Sequence, residues 1–262
     1  MTTRPERSAG APPRRPAPQS YTVLARTRVT PNMIRVTLGG EGVAALRPGA
    51  EGGYLKMRFG DEEGIKPPVR SYTIRRQDAE SIEVDFVVHG EGGHAGPAVE
   101  WALTAQPGQV ILAGGPGPAK TLPEGMDRYL IAGDMTALPA ISVNLERLPA
   151  DAKGVAAIEI QSAEDRQDIA HPEGVEVIWL VNPEPGTRPD MLADALRKAG
   201  RGEGEVHGWA AAEFGSMHAL RAYLRDECGL DRDHLYISSY WKHGEDDDGH
   251  REAKQADGVL AG

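Results

Sequence analysis

Cysteine is almost missing from these 262 residues: Cys228 stands alone. One thiol can form neither an internal disulfide nor a thiolate cluster around a metal, which fits a reducing cytoplasm. Next to Gly229 at a helix end, Cys228 reads as a small buried residue without a chemical role. Long apolar runs are missing too. None approaches the roughly 20 residues that a membrane span needs. The Pro- and Arg-rich residues 1–19 hold no apolar stretch of the kind a secretory signal carries, and are expected to form a disordered tail. Positive charge is in deficit: 29 Lys and Arg against 39 Asp and Glu leave a formal net charge of −10. The average field therefore repels polyanions, which argues against nucleic acid and anionic membranes as partners but not against a local basic pocket. No internal repeat is visible. Nor is there a G-x-G-x-x-G, so the ordinary dinucleotide fingerprint is absent.

What is present divides into two rhythms. From residue 20 to about 122, short alternating runs read as strands: Tyr21–Ala25, Met33–Leu38, Tyr54–Phe59, Arg70–Arg75, Ile82–Val88 and Gln109–Ala113. Gly, Pro and Asp clusters separate them, and one helix is expected over Pro97–Leu103. Six short strands with one helix predict a small antiparallel barrel. From 123 to 242, strands at Arg128–Ala132, Val155–Ile160, Val175–Leu180, Glu205–Ala211 and His234–Ser238 alternate with helices at Thr136–Arg147, Pro189–Ala199 and Ser216–Glu227. That alternation predicts a doubly wound parallel sheet. Residues 243–262, with Glu245-Asp246-Asp247-Asp248, lack apolar periodicity and are expected to be a flexible acidic tail.

Two stretches carry chemistry. Arg70-Ser71-Tyr72-Thr73-Ile74-Arg75 puts a cation, an aromatic ring and hydroxyls on one strand, the groups that hold a flat ring system with an anionic tail. Shortly after, His89-Gly90-Glu91-Gly92-Gly93-His94-Ala95-Gly96-Pro97-Ala98-Val99-Glu100-Trp101 is a glycine-rich turn running into a helix start. Unpaired N–H groups and the helix dipole there favour a pyrophosphate. Together they predict a flavin site for FAD. His89 and His94 do not read as metal ligands, because glycine spacers fix no ligand geometry and no third ligand is suitably spaced. His94 is expected to be exposed. Asp134 and Thr136 follow a strand and open a helix, so either can serve as a cap as well as a ligand contact.

These two segments resemble the siderophore-interacting protein family of flavin-dependent ferric-siderophore reductases, which have a ferredoxin-reductase-like fold. Three more segments match in the same order: Ala132-Gly133-Asp134-Met135-Thr136-Ala137-Leu138-Pro139-Ala140-Ile141, Trp209-Ala210-Ala211-Ala212-Glu213 and Tyr240-Trp241-Lys242-His243-Gly244. One departure is Val99, where the family usually has Ser; a hydroxyl near the pyrophosphate is lost while the backbone donor stays. The resemblance implies that Arg70, Ser71, Tyr72 and Thr73 contact the flavin and its phosphates. Asp85, Val87 and His89 lie on the strand passing the ring, with His89 expected to touch the phosphate or adenine side of FAD, and Gly96, Pro97, Ala98, Val99 and Trp101 belong to the phosphate turn. Asp134, Thr136, Glu213 and Trp241 fall on the nicotinamide side. Lys56, Lys242 and His243 are implied as substrate contacts, since a local cationic cluster suits an anionic ferric siderophore.

The expected function follows from that resemblance. NADH or NADPH would give hydride to FAD, and the flavin would pass single electrons to Fe(III), with no catalytic side chain and no protein metal ligand. Alternatives are a general flavin or ferric reductase, and a siderophore-binding flavoprotein fed by a protein donor such as a ferredoxin. Ser162 and Arg166 are placed to meet a 2′-phosphate, with Glu164 and Asp165 opposing it, so donor preference stays open. A cytoplasmic monomer is expected.

Overall fold

The computed structural model describes residues 17–60, 67–89, 96–245 and 247–260. The first half closes a barrel in the order β1-β2-β5-β4-β3-β6. Its strands are β1 (Gln19–Thr30), β2 (Met33–Gly39), β3 (Tyr54–Arg58), β4 (Val69–Gln77), β5 (Ile82–Val87) and β6 (Val110–Gly117), all paired antiparallel. The period-2 pattern decides what fills it. Leu55 and Met57 of β3, Ile74 of β4, and Ile82, Val84 and Phe86 of β5 are fully buried, while Lys56 and Arg58 between them stay exposed. A short helix α1 (Glu41–Ala44) and the helix α2 (Pro97–Thr104) sit against this core, α2 through Ala98, Val99 and Ala102.

The second half is a parallel sheet in the order β11-β10-β7-β8-β9, formed by β7 (Arg128–Gly133), β8 (Gly154–Ile160), β9 (Val175–Val181), β10 (Val206–Glu213) and β11 (Leu235–Trp241). Helix α3 (Leu138–Arg147) packs on the face towards the barrel. Helices α4 (Met191–Ala199) and α5 (Phe214–Arg221) cover the other face, so the sheet is doubly wound. The helix expected through Glu227 changes pitch after Arg221: Ala222–Glu227 is a π-type turn closed by Cys228 N–H donating to Tyr223 O at 2.9 Å. Cys228 is half-buried rather than buried, packed against the second-face core.

Barrel and sheet share buried contacts. Met33, Val29 and Val87 of the barrel pack with Tyr129, Ile131 and Trp209 of the sheet. Arg75, 5% exposed, makes a two-bond ion pair with Glu146 of α3. Asp165 is fully buried and accepts from Thr30 Oγ1 (2.8 Å), Asn32 N (2.9 Å), Asn32 Nδ2 (2.8 Å) and Ser162 N (2.9 Å). This corrects the expectation that Asp165 opposes a 2′-phosphate. Four donors hold its carboxylate below the usual carboxylate range despite burial, so it ties the β1–β2 turn to the loop after β8.

The expected acidic tail is also corrected. Asp247–Leu260 forms a helix, α6, that lies against β11. His250 Nε2 is 3.0 Å from Ser239 Oγ, and Asp257 receives both terminal nitrogens of Arg221 at 2.8 and 2.6 Å. A mostly polar helix of this kind hides from a periodicity search, because its docking is polar and reaches residues distant in sequence. The expected tail at 1–19 falls on residues outside the described ones up to residue 16; from Gln19 the chain is already in β1.

Candidate functional site

The β4–β5 ladder runs from Gln77↔Ile82 to Ile74↔Val84 and stops there. Beyond it, Arg70–Thr73 remain paired only with β3, and Asp85–Val87 only with β2. Two strand segments thus face each other across an open seam with no ladder bonds between them. Backbone donors and acceptors in such a seam need partners, which a flat ring with hydrogen-bonding edges can supply. Ser71 and Thr73 stand on the outer side of β4, beside Lys56 and Tyr54 of β3 in register. Arg70 is half-buried at the start of the same stretch. The Tyr72 ring is turned into the barrel mouth, 4.2 Å centroid to centroid from Phe86 and edge-on to Phe59 at 6.0 Å, with part of it still accessible.

Asp85 is on the seam but its carboxylate is committed elsewhere. Arg35 donates to it twice, at 2.6 and 2.8 Å. Any contact from Asp85 to a bound ring therefore comes from its backbone. Gly96 precedes α2 in extended conformation, with no side chain capping the helix and Pro97 at its first turn. An uncapped start of this kind keeps donors for an anion. Val99 and Ala98 point into the barrel core, and Val99 N–H already donates to Gly96 O at 2.9 Å. This corrects the expectation that the Val99 backbone donor is left for a pyrophosphate; the position is an apolar core position here. Trp101 packs on Phe59 and Phe86 at 5.8 and 5.6 Å. It also lines a groove of about 700 Å³ with Pro67, Pro68, Pro97 and Glu100. His89 is exposed, while His94 and the rest of Gly90–Ala95 lie outside the described residues.

The C-terminal edge of the sheet is built on buried carboxylates. Asp134 Oδ1 accepts from Thr136 N (2.9 Å) and Thr136 Oγ1, which closes the turn into α3. Its Oδ2 accepts from Glu213 N (2.9 Å) and Trp241 Nε1 (2.8 Å). A carboxylate offers about four acceptor sites, and all are used by the protein. This corrects the expectation that the Asp134 carboxylate itself meets the nicotinamide nucleotide: it fixes the ends of β7, β10 and β11 relative to one another. Burial nevertheless raises its pKa. Glu213 caps α5 through Gly215 N and Ser216 N, and its Oε1 accepts from His243 N at 3.0 Å. His243 itself is exposed and lies against Gly186 of the loop after β9.

A third carboxylate was not singled out by sequence. Glu159 of β8 is 5% exposed, accepts from Asn182 Nδ2 at 2.8 Å, and has its pKa pushed up to about 7, mainly by burial. Its folded state favours the neutral acid. Its contribution to stability is therefore complete below the unfolded value of 4.5 and is lost as pH rises through about 7. Glu159→Gln keeps an acceptor for Asn182 and removes that dependence. At about pH 8 the variant should be more stable than the parent by on the order of 2 kcal/mol, with the two converging near pH 4. Denaturant titrations at both pH values check this; parallel curves at all pH values would count against it.

Facing the barrel, β11 presents Tyr236, Ser238 and Tyr240 on one side. Burial pushes the Tyr236 and Tyr240 phenols up. Tyr54 of β3 is near enough to interact electrostatically with both. Its ring lies flat across Gly117 of β6, where any Cβ would collide with it. Lys120 Nζ sits 5.7 Å from the centre of the Tyr236 ring. The alternation Tyr236-Ser238-Tyr240 was the available signal for this face. Of the expected substrate contacts, Lys56 is exposed on that side of β3. Lys242 instead lies over the Phe214 ring at 5.7 Å and 3.5 Å from Glu245, at the start of α5.

A closed barrel with an open β4–β5 seam, followed by a doubly wound sheet, defines a flavin-binding oxidoreductase of ferredoxin-reductase-like fold. The chain belongs to the siderophore-interacting protein family: residues 60–120 match its FAD-binding domain and residues 126–244 the siderophore-interacting protein model. It is 34% identical over 258 residues to the ferric vibriobactin reductase ViuB of Vibrio cholerae, covering 90% of this chain and 94% of ViuB. The siderophore-interacting protein SipS of Aeromonas hydrophila superposes with a TM-score of 0.81 at 30% identity, covering 94% of this chain and 99% of SipS. The ferredoxin-NADP+ reductase of Plasmodium falciparum shares the fold, with a TM-score of 0.65 at 10% identity over 85% of this chain and 96% of that one. No helix among the described residues is long and apolar enough to cross a membrane.

Proposed function

We propose that this chain is an FAD-dependent ferric-siderophore reductase that uses NADH or NADPH, with residues 20–122 as the flavin domain and 123–242 as the nucleotide domain. The observation that carries the reading is the open seam between Arg70–Thr73 and Asp85–Val87. When bound there, FAD supplies acceptance of hydride from nicotinamide and delivery of single electrons to chelated Fe(III). The protein's part is binding and orientation. Arg70 suits the pyrophosphate as a charged donor, and the start of α2, which no side chain caps, suits it through the helix dipole. Thr73, Ser71 and the backbone of Asp85–Val87 suit the polar edge of the ring. The Asp134, Glu213 and Trp241 hub holds the strand ends where a nicotinamide nucleotide binds in sheets of this kind. Fe(II) carries less charge than Fe(III), so reduction loosens hard oxygen ligands without destroying the chelator.

The experiment is anaerobic. Purified protein carrying FAD is reduced with NADH or with NADPH, and is then mixed with ferric siderophores under a ferrous trap. Rapid flavin bleaching by one nucleotide, followed by recolouring as Fe(II) forms, is the expected result. A flavin that neither nucleotide reduces, yet reduced ferredoxin does, would replace the nicotinamide reading with the carrier one. Lys56→Ala should weaken capture of an anionic ferric siderophore several-fold, and added salt should weaken the parent more steeply than the variant. Equal losses for neutral and anionic chelates would mean that Lys56 only supports the fold.

A further inference from the structure

The parallel sheet ends in β11 on one side and in β9 on the other, and the two edges differ. Helix α6 lies against β11, where Lys254 Nζ donates to the backbone carbonyl of Ser239 at 2.9 Å. β9 pairs with β8 alone, and among the described residues no strand lies beyond it. That pairing runs in unbroken register from Gly154↔Val175 to Ile160↔Val181, without a bulge. Asn182 N–H donates to Ile160 O at 2.8 Å, so the even-numbered residues turn their backbone groups towards β8. By alternation Val177, Trp179 and Val181 turn their N–H and C=O groups outward. The strand Val175-Glu176-Val177-Ile178-Trp179-Leu180-Val181 holds a single charge and neither lysine nor proline, the residues that commonly blunt an edge. Its side chains from Val177 to Leu180 are only half-buried, and Val181 is 37% exposed.

We propose that β9 pairs antiparallel with β9 of a second copy of this chain, about a two-fold axis at Trp179, so that the two sheets become one. The strand itself sets the register. When Val177, Trp179 and Val181 are all used, Val177 meets Val181 of the second copy and Trp179 meets its own equivalent, each pair exchanging both N–H···O bonds. Every opposed pair is then apolar: Val177 with Val181, Ile178 with Leu180, Trp179 with Trp179. Glu176 falls opposite Asn182 and avoids its own equivalent. The ladder also stops where it has no further bonds to make. Val175 N–H is already given to Pro172 O at 3.0 Å, and Pro183, which would face it, has no N–H. Self-complementarity of this kind selects a copy of the same strand and produces a closed dimer. Residues 1–16 do not suit the edge, since Pro5, Pro12, Pro13 and Pro16 lack the donor that a ladder needs. The dimer replaces the monomer expected from sequence, and the inference is independent of the reductase reading.

The test is sedimentation velocity of the full chain over a concentration series. One short strand pair buries less than the roughly 1,200 Å² of a standard interface, so the parent should dimerise with a Kd in the micromolar range. Val181→Lys alters an exposed position and sets a charge opposite Val177 of the second copy. It should raise that Kd about tenfold or more. Val177→Glu should do the same. Mixed in equal amounts, the two variants should pair with each other, because the introduced ammonium and carboxylate then face one another across the ladder. Should Val177→Glu fold poorly, hydrogen exchange of the parent serves instead: the N–H groups of Val177, Trp179 and Val181 should gain protection as concentration rises. A parent that sediments as a single chain throughout the micromolar range would overturn the inference. So would a dimer that Val181→Lys leaves unchanged, folded variants that stay apart when mixed, or protection of β9 that ignores concentration.

Discussion

Asp134→Ala should cost about 2–4 kcal/mol of stability and slow reduction of bound flavin by nicotinamide nucleotide, while FAD stays in place. The substitution leaves Trp241 Nε1, Glu213 N–H and both Thr136 donors without an acceptor at a buried position. Each orphaned buried donor costs roughly 1–3 kcal/mol. Two effects reduce the sum. Burial raises the pKa of Asp134, so removing it also removes a poorly solvated charge, and a small cavity can admit water. The loss should still dominate, because three strand ends are tied through one side chain. The seam that suits FAD lies on the barrel and does not include this hub, so flavin content should be unchanged. Denaturant midpoints, flavin content and single-turnover reduction of the same samples make the check. An unchanged midpoint, or lost flavin with normal nucleotide reduction, would remove Asp134 from this role.

Arg70→Ala should yield protein that purifies nearly colourless, with FAD affinity reduced roughly 10- to 100-fold. The guanidinium is half-buried at the head of the seam, where water cannot fully replace a charged donor beside a phosphate. Arg70→Lys should recover only part, since an ammonium keeps the charge but not the planar fork. FAD and FMN separate the cause. If Arg70 serves the pyrophosphate, the ratio of FAD to FMN affinity falls; if it serves only the ring, both fall alike. Unchanged flavin content in Arg70→Ala would place the cofactor elsewhere.

Local pattern made the barrel and sheet readable. Alternation at Leu55, Met57 and at Ile82, Val84, Phe86 reports burial directly, since a strand side chain points in or out by parity alone. Strand ends were less legible. The strand expected to end at Ser238 continues to Trp241, because the Trp241 indole finds its acceptor on Asp134, 107 residues earlier. The same holds for α6, whose hold on the protein comes from Ser239 and Arg221 rather than from an apolar stripe.

The sequence by itself determined the two-part architecture, the strand carrying Arg70 to Thr73, the uncapped helix start at Gly96-Pro97 and the acidic overall balance, because each depends on neighbours within a few residues. Tertiary structure decided the use of the polar side chains. Asp134, Glu213 and Asp165 look alike as acidic residues near loops, and all three are spent on holding distant segments together. Tyr54, Tyr236 and Tyr240 look like ordinary strand residues, and come within electrostatic range of one another only in the folded chain. The physical reason is common to these cases: a carboxylate or phenol acquires its role from the donors, charges and solvent around it, and those neighbours come from parts of the chain that sequence proximity does not relate.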